Sequence, residues 1–188
     1  METSEFFVRG MICSSCLKLL TTEMNAIGAE VLDIQLGKIT IRYNPNLVSQ
    51  ELIKSKVEAN EFEIITDPKL ILAETTRCWI INYVWNDFKE EKISDFLPNK
   101  IKRPYYLLSR NFTKTFNMSI KNYEQKLKIE RTKEKIELED MSFSEIAYDL
   151  GYDNLSSLSR LFKNHTGMSL AEYKNSRGKN RIPIDKIG

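Results

Sequence analysis

Hydrophobic positions follow two different rhythms along this chain, and the change from one to the other divides it. Alternation with a period of two runs through positions 29–36 and again through Lys38–Tyr43, interrupted at Gly37, which predicts a hairpin of two strands. Phe6-Phe7-Val8 and Phe62-Glu63-Ile64-Ile65 read as two further short strands. Between these segments the spacing lengthens. Leu17, Leu19, Leu20 and Met24 predict one helix, and Leu52, Ile53 and Val57, within 48–59, predict another. Beyond position 68 the apolar stripes are all helical. A helix is expected from 69 to 87 with Leu72, Thr76, Trp79, Ile80, Tyr83 and Val84 on its buried side. Asp67-Pro68 ends the strand-containing part, because the residue before a proline resists helix.

The rear part repeats itself. Residues 93–123 lie without a gap over residues 143–173 at an offset of fifty, with eight identities where roughly two are expected by chance. Ser94/Ser144, Leu108/Leu158, Ser109/Ser159, Arg110/Arg160, Phe112/Phe162, Met118/Met168, Ser119/Ser169 and Tyr123/Tyr173 are the identical pairs. In the second copy, Ser142 and Glu145 fit a capping box, and Phe143, Ile146, Ala147 and Leu150 follow at helical spacing. Gly151 supplies a left-handed residue for a tight turn, and Asp153 or Asn154 caps the next helix. That helix buries Leu155, Leu158, Leu161 and Phe162 and turns Ser156, Ser157, Arg160 and Lys163 outward, donors suited to phosphates and base edges. In the first copy Pro98 falls inside the first helix, and the second helix begins near Pro104. There Leu107, Leu108 and Phe112 are expected inside, with Tyr106, Ser109, Arg110 and Lys114 outside. A helix capped by Ser119 and free of Gly and Pro to 139 joins the copies.

The expected fold class is therefore α+β with two domains. A ferredoxin-like βαββαβ domain occupies 1–67, an all-α double helix-turn-helix domain occupies 68–176, and a basic, mobile tail containing Arg177, Lys179 and Arg181 occupies 177–188. Charge sharpens this division. Positions 1–66 carry six basic against nine acidic residues, and positions 67–188 carry 22 against 17. An acidic front joined to a basic rear suits a sensor attached to a module that binds a polyanion. No apolar run approaches a membrane span and no charged-then-apolar leader opens the chain, so a cytoplasmic protein with no membrane partner is expected. Three cysteines in such a compartment argue against a disulfide framework. No base, nucleotide loop or catalytic constellation is present, so no enzyme is expected.

The rear motifs LSRNF (108–112), SEIAYDLGYDN (144–154) and LSRLFKNHTGMSLAEYK (158–174) resemble the DNA-binding domain of AraC/XylS-type transcription regulators. The resemblance covers about 69–175. It implies that Tyr106, Ser109 and Arg110 in one recognition helix, and Ser156, Ser157 and Arg160 in the other, contact double-stranded DNA. It further implies two helices entering successive major-groove segments about one turn (~34 Å) apart. RNA polymerase is the expected second partner.

Candidate metal chemistry lies in GMICSSC (10–16). Two cysteines flanking a helix start bring their sulfurs together, and the helix N-terminus favours the thiolate of Cys16. Two thiolates suit a soft ion of low coordination number such as Cu(I), whereas zinc needs further ligands. The loop and its surroundings over 4–66 resemble the heavy-metal-associated domain of copper chaperones, which implies Cys13 and Cys16 as ligands of Cu(I), with Zn, Cd or Hg as substitutes. Phe62 falls where those domains place an aromatic residue beside the loop, and Met11 reads as core. An incomplete two-thiolate site also permits a homodimer bridged by a shared ion. The competing readings are a redox dithiol, a fold that has lost its metal and senses another signal or a protein, and a metal-carrying interaction module. Cys78, within Cys78-Trp79-Ile80-Ile81, reads as a buried small hydrophobe, and His165 as a surface residue.

Overall fold

The computed structural model describes residues 1–86, 91–176 and 180–187. They form two compact units, Met1–Cys78 and Trp79–Gly188.

The first unit runs β1 (Glu2–Arg9), α1 (Ser14–Ala26), β2 (Glu30–Gln35), β3 (Lys38–Tyr43), α2 (Gln50–Glu58) and β4 (Glu63–Ile65), followed by the first half of α3 (Pro68–Trp85). The sheet order is β2-β3-β1-β4, and the β1/β3, β1/β4 and β2/β3 pairs are all antiparallel. This is the split βαβ arrangement expected from the alternation. In β3 the alternation is visible as burial: Ile39, Ile41 and Tyr43 point into the core while Arg42 is exposed. They pack with Val8, Met11, Leu20, Met24, Ile53 and Val57. Met11 is fully buried, as its reading as core required.

The units divide at Cys78/Trp79, inside α3, and not at Asp67-Pro68. Proline does set the helix start, but the first half of α3 packs with the strands that precede it. Cys78 is 4% exposed, and its Sγ lies 3.9 Å from the Met11 carbonyl. A Cβ added to Gly37 would meet that sulfur at 2.9 Å, and φ of +80° at Gly37 also disfavours a side chain. Buried Glu74 receives two nitrogens of Arg77 at 2.8 Å, while Arg9 Nε approaches its other oxygen at 3.3 Å as an ion pair without aligned hydrogen-bond geometry. These contacts, invisible to local sequence rules, assign half of the helix to the front unit. The expected helix end at Asp87 lies outside the described residues.

In the second unit, α4 (Ile93–Ile101) and α5 (Tyr105–Phe116) precede the long α6 (Ile120–Leu138), then come α7 (Phe143–Asp149), α8 (Leu155–Thr166) and α9 (Leu170–Asn175). The repeat is reproduced in three dimensions. Starts of α4 and α7, of α5 and α8, and of α6 and α9 are each fifty residues apart. Leu108 and Phe112 are buried, and so are Leu158 and Phe162. Phe112 meets Tyr123 at 5.5 Å, and Phe162 meets Tyr173 at 5.5 Å. Helix α6 serves both halves, burying Tyr123 and Leu127 near its start and Ile129 and Ile136 farther along. Leu107 departs from expectation. It is 37% exposed, because the inward face of α5 is filled by Leu108 and Phe112 one turn apart.

Polar N-caps open α6, α7, α8 and α9, at Ser119, Ser142 and Asn154 as the sequence suggested and also at Ser169. Ser119 caps α6, and Ser142–Glu145 and Ser169–Glu172 form complete capping boxes at α7 and α9. Asn154 caps α8 by accepting from Ser157 N at 3.0 Å. The hydroxyl and the backbone N–H of Ser142 hold the Glu145 carboxyl below the usual carboxylate range. Glu172 is lowered by the backbone N–H and hydroxyl of Ser169, with help from Lys163. A depressed folded pKa contributes stability above the unfolded value of ~4.3 and loses it as pH falls through the lowered folded value. Acidification below about pH 4 is therefore expected to lower the melting temperature of this unit. Melts of Glu145→Gln/Glu172→Gln should show a flatter acid limb than wild type, and an identical limb would show that the boxes do not titrate this way.

The segment 180–187 is not a free tail. It includes a short 3-10 turn, Ile184–Lys186, and docks on α6, where Lys133 Nζ donates to Asn180 O at 2.8 Å and Ile182 N donates to Glu130 Oε2 at 2.7 Å. Arg177 and Lys179 lie outside the described residues. Among the described residues no helix is long and apolar enough to cross a membrane.

Candidate nucleic-acid interface and dithiol loop

Each of α5 and α8 is twelve residues long and sits second in its helix pair. Their inner stripes fix which residues face out. Tyr106 is 73% exposed, Arg110 is exposed and Ser109 is partly exposed on α5. On α8, Ser156, Arg160 and Lys163 are exposed and Ser157 is partly exposed. Every sequence-predicted contact residue therefore reaches solvent. Among the described residues neither Arg110 nor Arg160 enters an ion pair, so both guanidinium forks are available for an external acceptor.

On α5 the structure brings Tyr106, Ser109 and Arg110 together with Tyr105, Thr113 and Lys114 along one open, shallow surface. Tyr105 and Thr113 were missed from sequence, although the spacing 106, 109, 110, 113 marks one helix face. The burial that holds Tyr105 against the fold, together with Glu124, raises its pKa. The turns differ between the copies. Lys102 ends α4 with φ of 58°, where the second copy uses Gly151 at 75°. Pro98 is accommodated within α4, which still runs to Ile101.

At the other candidate site, Cys13 is the N-cap of α1 and Cys16 lies in its first turn, with the two sulfurs 2.9 Å apart. Both thiols are free and partly exposed. Gly10, at φ of +91°, lets the loop pass Phe62, whose Cδ1 would lie 3.3 Å from an added Cβ. Phe62 thus stands beside the loop, as the resemblance implied. One expectation fails: the Cys16 thiol is pushed up by burial and by its hydrogen bond with Cys13, which outweigh the backbone groups of Ile12 and Cys13 at the helix start. Two adjacent sulfurs fit a soft ion of low coordination number. Among the described residues no group of three or more His, Cys, Asp or Glu is assembled, whereas a closed zinc site takes four ligands. Burial raises the Cys78 thiol to about 12 and keeps it protonated.

Residues 102–176 match the family model of the helix-turn-helix domain, which spans α5 to α9 and begins after α4. Over 95 residues the chain is 26% identical to YdiP, an uncharacterized HTH-type transcriptional regulator of Escherichia coli (strain K12). The aligned stretch is 50% of this chain and 31% of that relative, so the chain spans about a third of the length of the curated relative it matches.

Proposed function

We propose, from the AraC-type helix-turn-helix domain at residues 102–176, that this chain is a sequence-specific DNA-binding transcription regulator that responds to a soft metal ion held by Cys13 and Cys16. The observation that carries the DNA reading is the duplicated helix pair, with Arg110 and Arg160 exposed at equivalent positions of α5 and α8. Two such helices joined by one long helix suit two major-groove segments on one duplex. Double-stranded DNA is then the direct partner, and RNA polymerase the partner through which binding changes transcription. A duplex binder releases counterions, so its affinity must fall steeply with salt. Duplex affinity that does not change between low and moderate salt would contradict the reading.

The metal part rests on the donor set. Two sulfurs at a strand-to-helix junction, next to a glycine turn and Phe62, suit Cu(I) better than an ion that demands four ligands. A bound ion would fix both cysteines as thiolates and release protons as it enters. An ion with a vacant coordination position also offers a bridge between two chains. Protein purified anaerobically and loaded with Cu(I) is expected to retain close to one ion per chain or per pair of chains. Cys13→Ser should lose it, with a matching loss of metal-dependent change in a DNA-shift assay. Equal copper retention and equal DNA shifts for variant and wild type would remove metal from the account and leave the DNA reading standing.

A further inference from the structure

A cavity of about 290 Å³ lies in the second unit, away from the outward faces of α5 and α8. Its floor is α6, one wall is the end of α8 with Met168 and with Tyr173 of α9, and its cover is the docked segment 180–187. The floor carries a buried ion pair, Glu130 with Lys133 at 2.6 Å, exposed only 3% and 7%. Such a pair is tolerated when its remaining hydrogen-bonding capacity is satisfied, and the backbone of Asn180 and Ile182 does this. Ile187, 4% exposed, anchors the far end of the segment. The cover is thus pinned at both ends, and a hollow remains beneath it.

The lining is amphipathic. Ile129, Ile182, Ile187 and Met168 supply apolar wall. The charge of Glu130 is already matched by Lys133. Lys126, Lys186 and His165 also line the space, and none of them has an ion-pair partner among the described residues. Apolar walls with a few convergent polar groups are what small-molecule sites share, and here they include two ammonium groups, Lys126 and Lys186, beside the His165 imidazole. A space of this size, walled by apolar side chains and edged by cationic donors, suits a short acid with an alkyl body.

We infer that this cavity binds a small organic monocarboxylate, its carboxylate held by Lys126, Lys186 and His165 and its apolar body against Ile129, Ile182 and Ile187. The bound acid touches the linker helix, the end of the second candidate recognition helix and the covering segment together. The test is a titration of the full chain carrying labelled isoleucine methyl groups, with octanoate, octanol and inorganic phosphate as probes. Octanoate should shift the methyl signals of Ile129, Ile182 and Ile187 saturably, with a Kd below about 1 mM. Octanol should bind about tenfold more weakly, the scale of one charge-assisted hydrogen bond. Lys126→Gln/Lys186→Gln should weaken octanoate by a similar factor and leave octanol unchanged. No methyl shift with octanoate at about 10 mM, octanol as potent as octanoate, or phosphate moving the same methyl signals equally would each overturn the inference. The octanoate–octanol comparison on wild type decides the matter even if the double variant does not fold.

Discussion

Arg160→Ala is expected to weaken binding to a cognate duplex by roughly 1–3 kcal/mol, about 5- to 150-fold, and to relax preference at a single base pair. The size follows from the guanidinium fork, which matches the two acceptors on the major-groove edge of guanine. Arg160 stands exposed on α8, free of ion pairs among the described residues, so no internal partner must be given up on binding. Arg110→Ala on α5 should cost a comparable amount at a different base pair. Arg160→Lys separates shape from charge: an ammonium retains the attraction but not the planar pair of donors, so specificity should fall more than affinity. Lys163→Ala offers the contrast. Loss of one phosphate contact should weaken all sequences about equally and lower the salt slope by about one. Binding measured across single-base variants of one site distinguishes the two patterns. Unchanged affinity and preference for both arginine variants would remove α5 and α8 as reading elements.

Phe162→Ala carries the largest expected effect on stability, about 3–5 kcal/mol. Its ring is fully buried, meets Tyr173 edge-on at 74°, and packs among Ile129, Ile136, Ile146, Leu158 and Leu170. Truncation removes apolar contact and leaves a cavity into which the surrounding structure relaxes only partly. A domain stable by only 5–15 kcal/mol would be left near its threshold. Phe112→Ala should behave alike, since Phe112 is equally buried and meets Tyr123 at the same 5.5 Å. Urea unfolding followed by circular dichroism gives the change. A cost under about 1 kcal/mol for both variants would mean that the duplicated cores do not hold the helix pairs.

Much of this architecture was legible because local rules and tertiary packing agree. Lys38–Tyr43 alternates in sequence and in burial, and α6 starts where Ser119 predicts. The fifty-residue offset read from sequence reappears in three pairs of helix starts, and it foretold the paired burial of Phe112 and Phe162. The exposed contact candidates follow from the same stripe, since fixing the inner face fixes the outer one. What escaped depends on contacts distant in sequence. Neither the division of α3 at Cys78 nor the docking of 180–187 on the Glu130–Lys133 pair leaves a periodic trace. Leu107 was misplaced because three consecutive apolar or aromatic residues at 106–108 do not say which one points inward. Cys16 was misjudged because a helix terminus announces itself in sequence, whereas the burial that opposes it does not.

The most direct measurement is a hydroxyl-radical footprint of the full chain on a duplex selected from random sequence. Two protected patches on one face, their centres ~10 base pairs apart, are predicted, with one patch lost in Arg110→Ala and the other in Arg160→Ala. A single patch, or two patches untouched by either substitution, would contradict the claim that paired helices grip the DNA together.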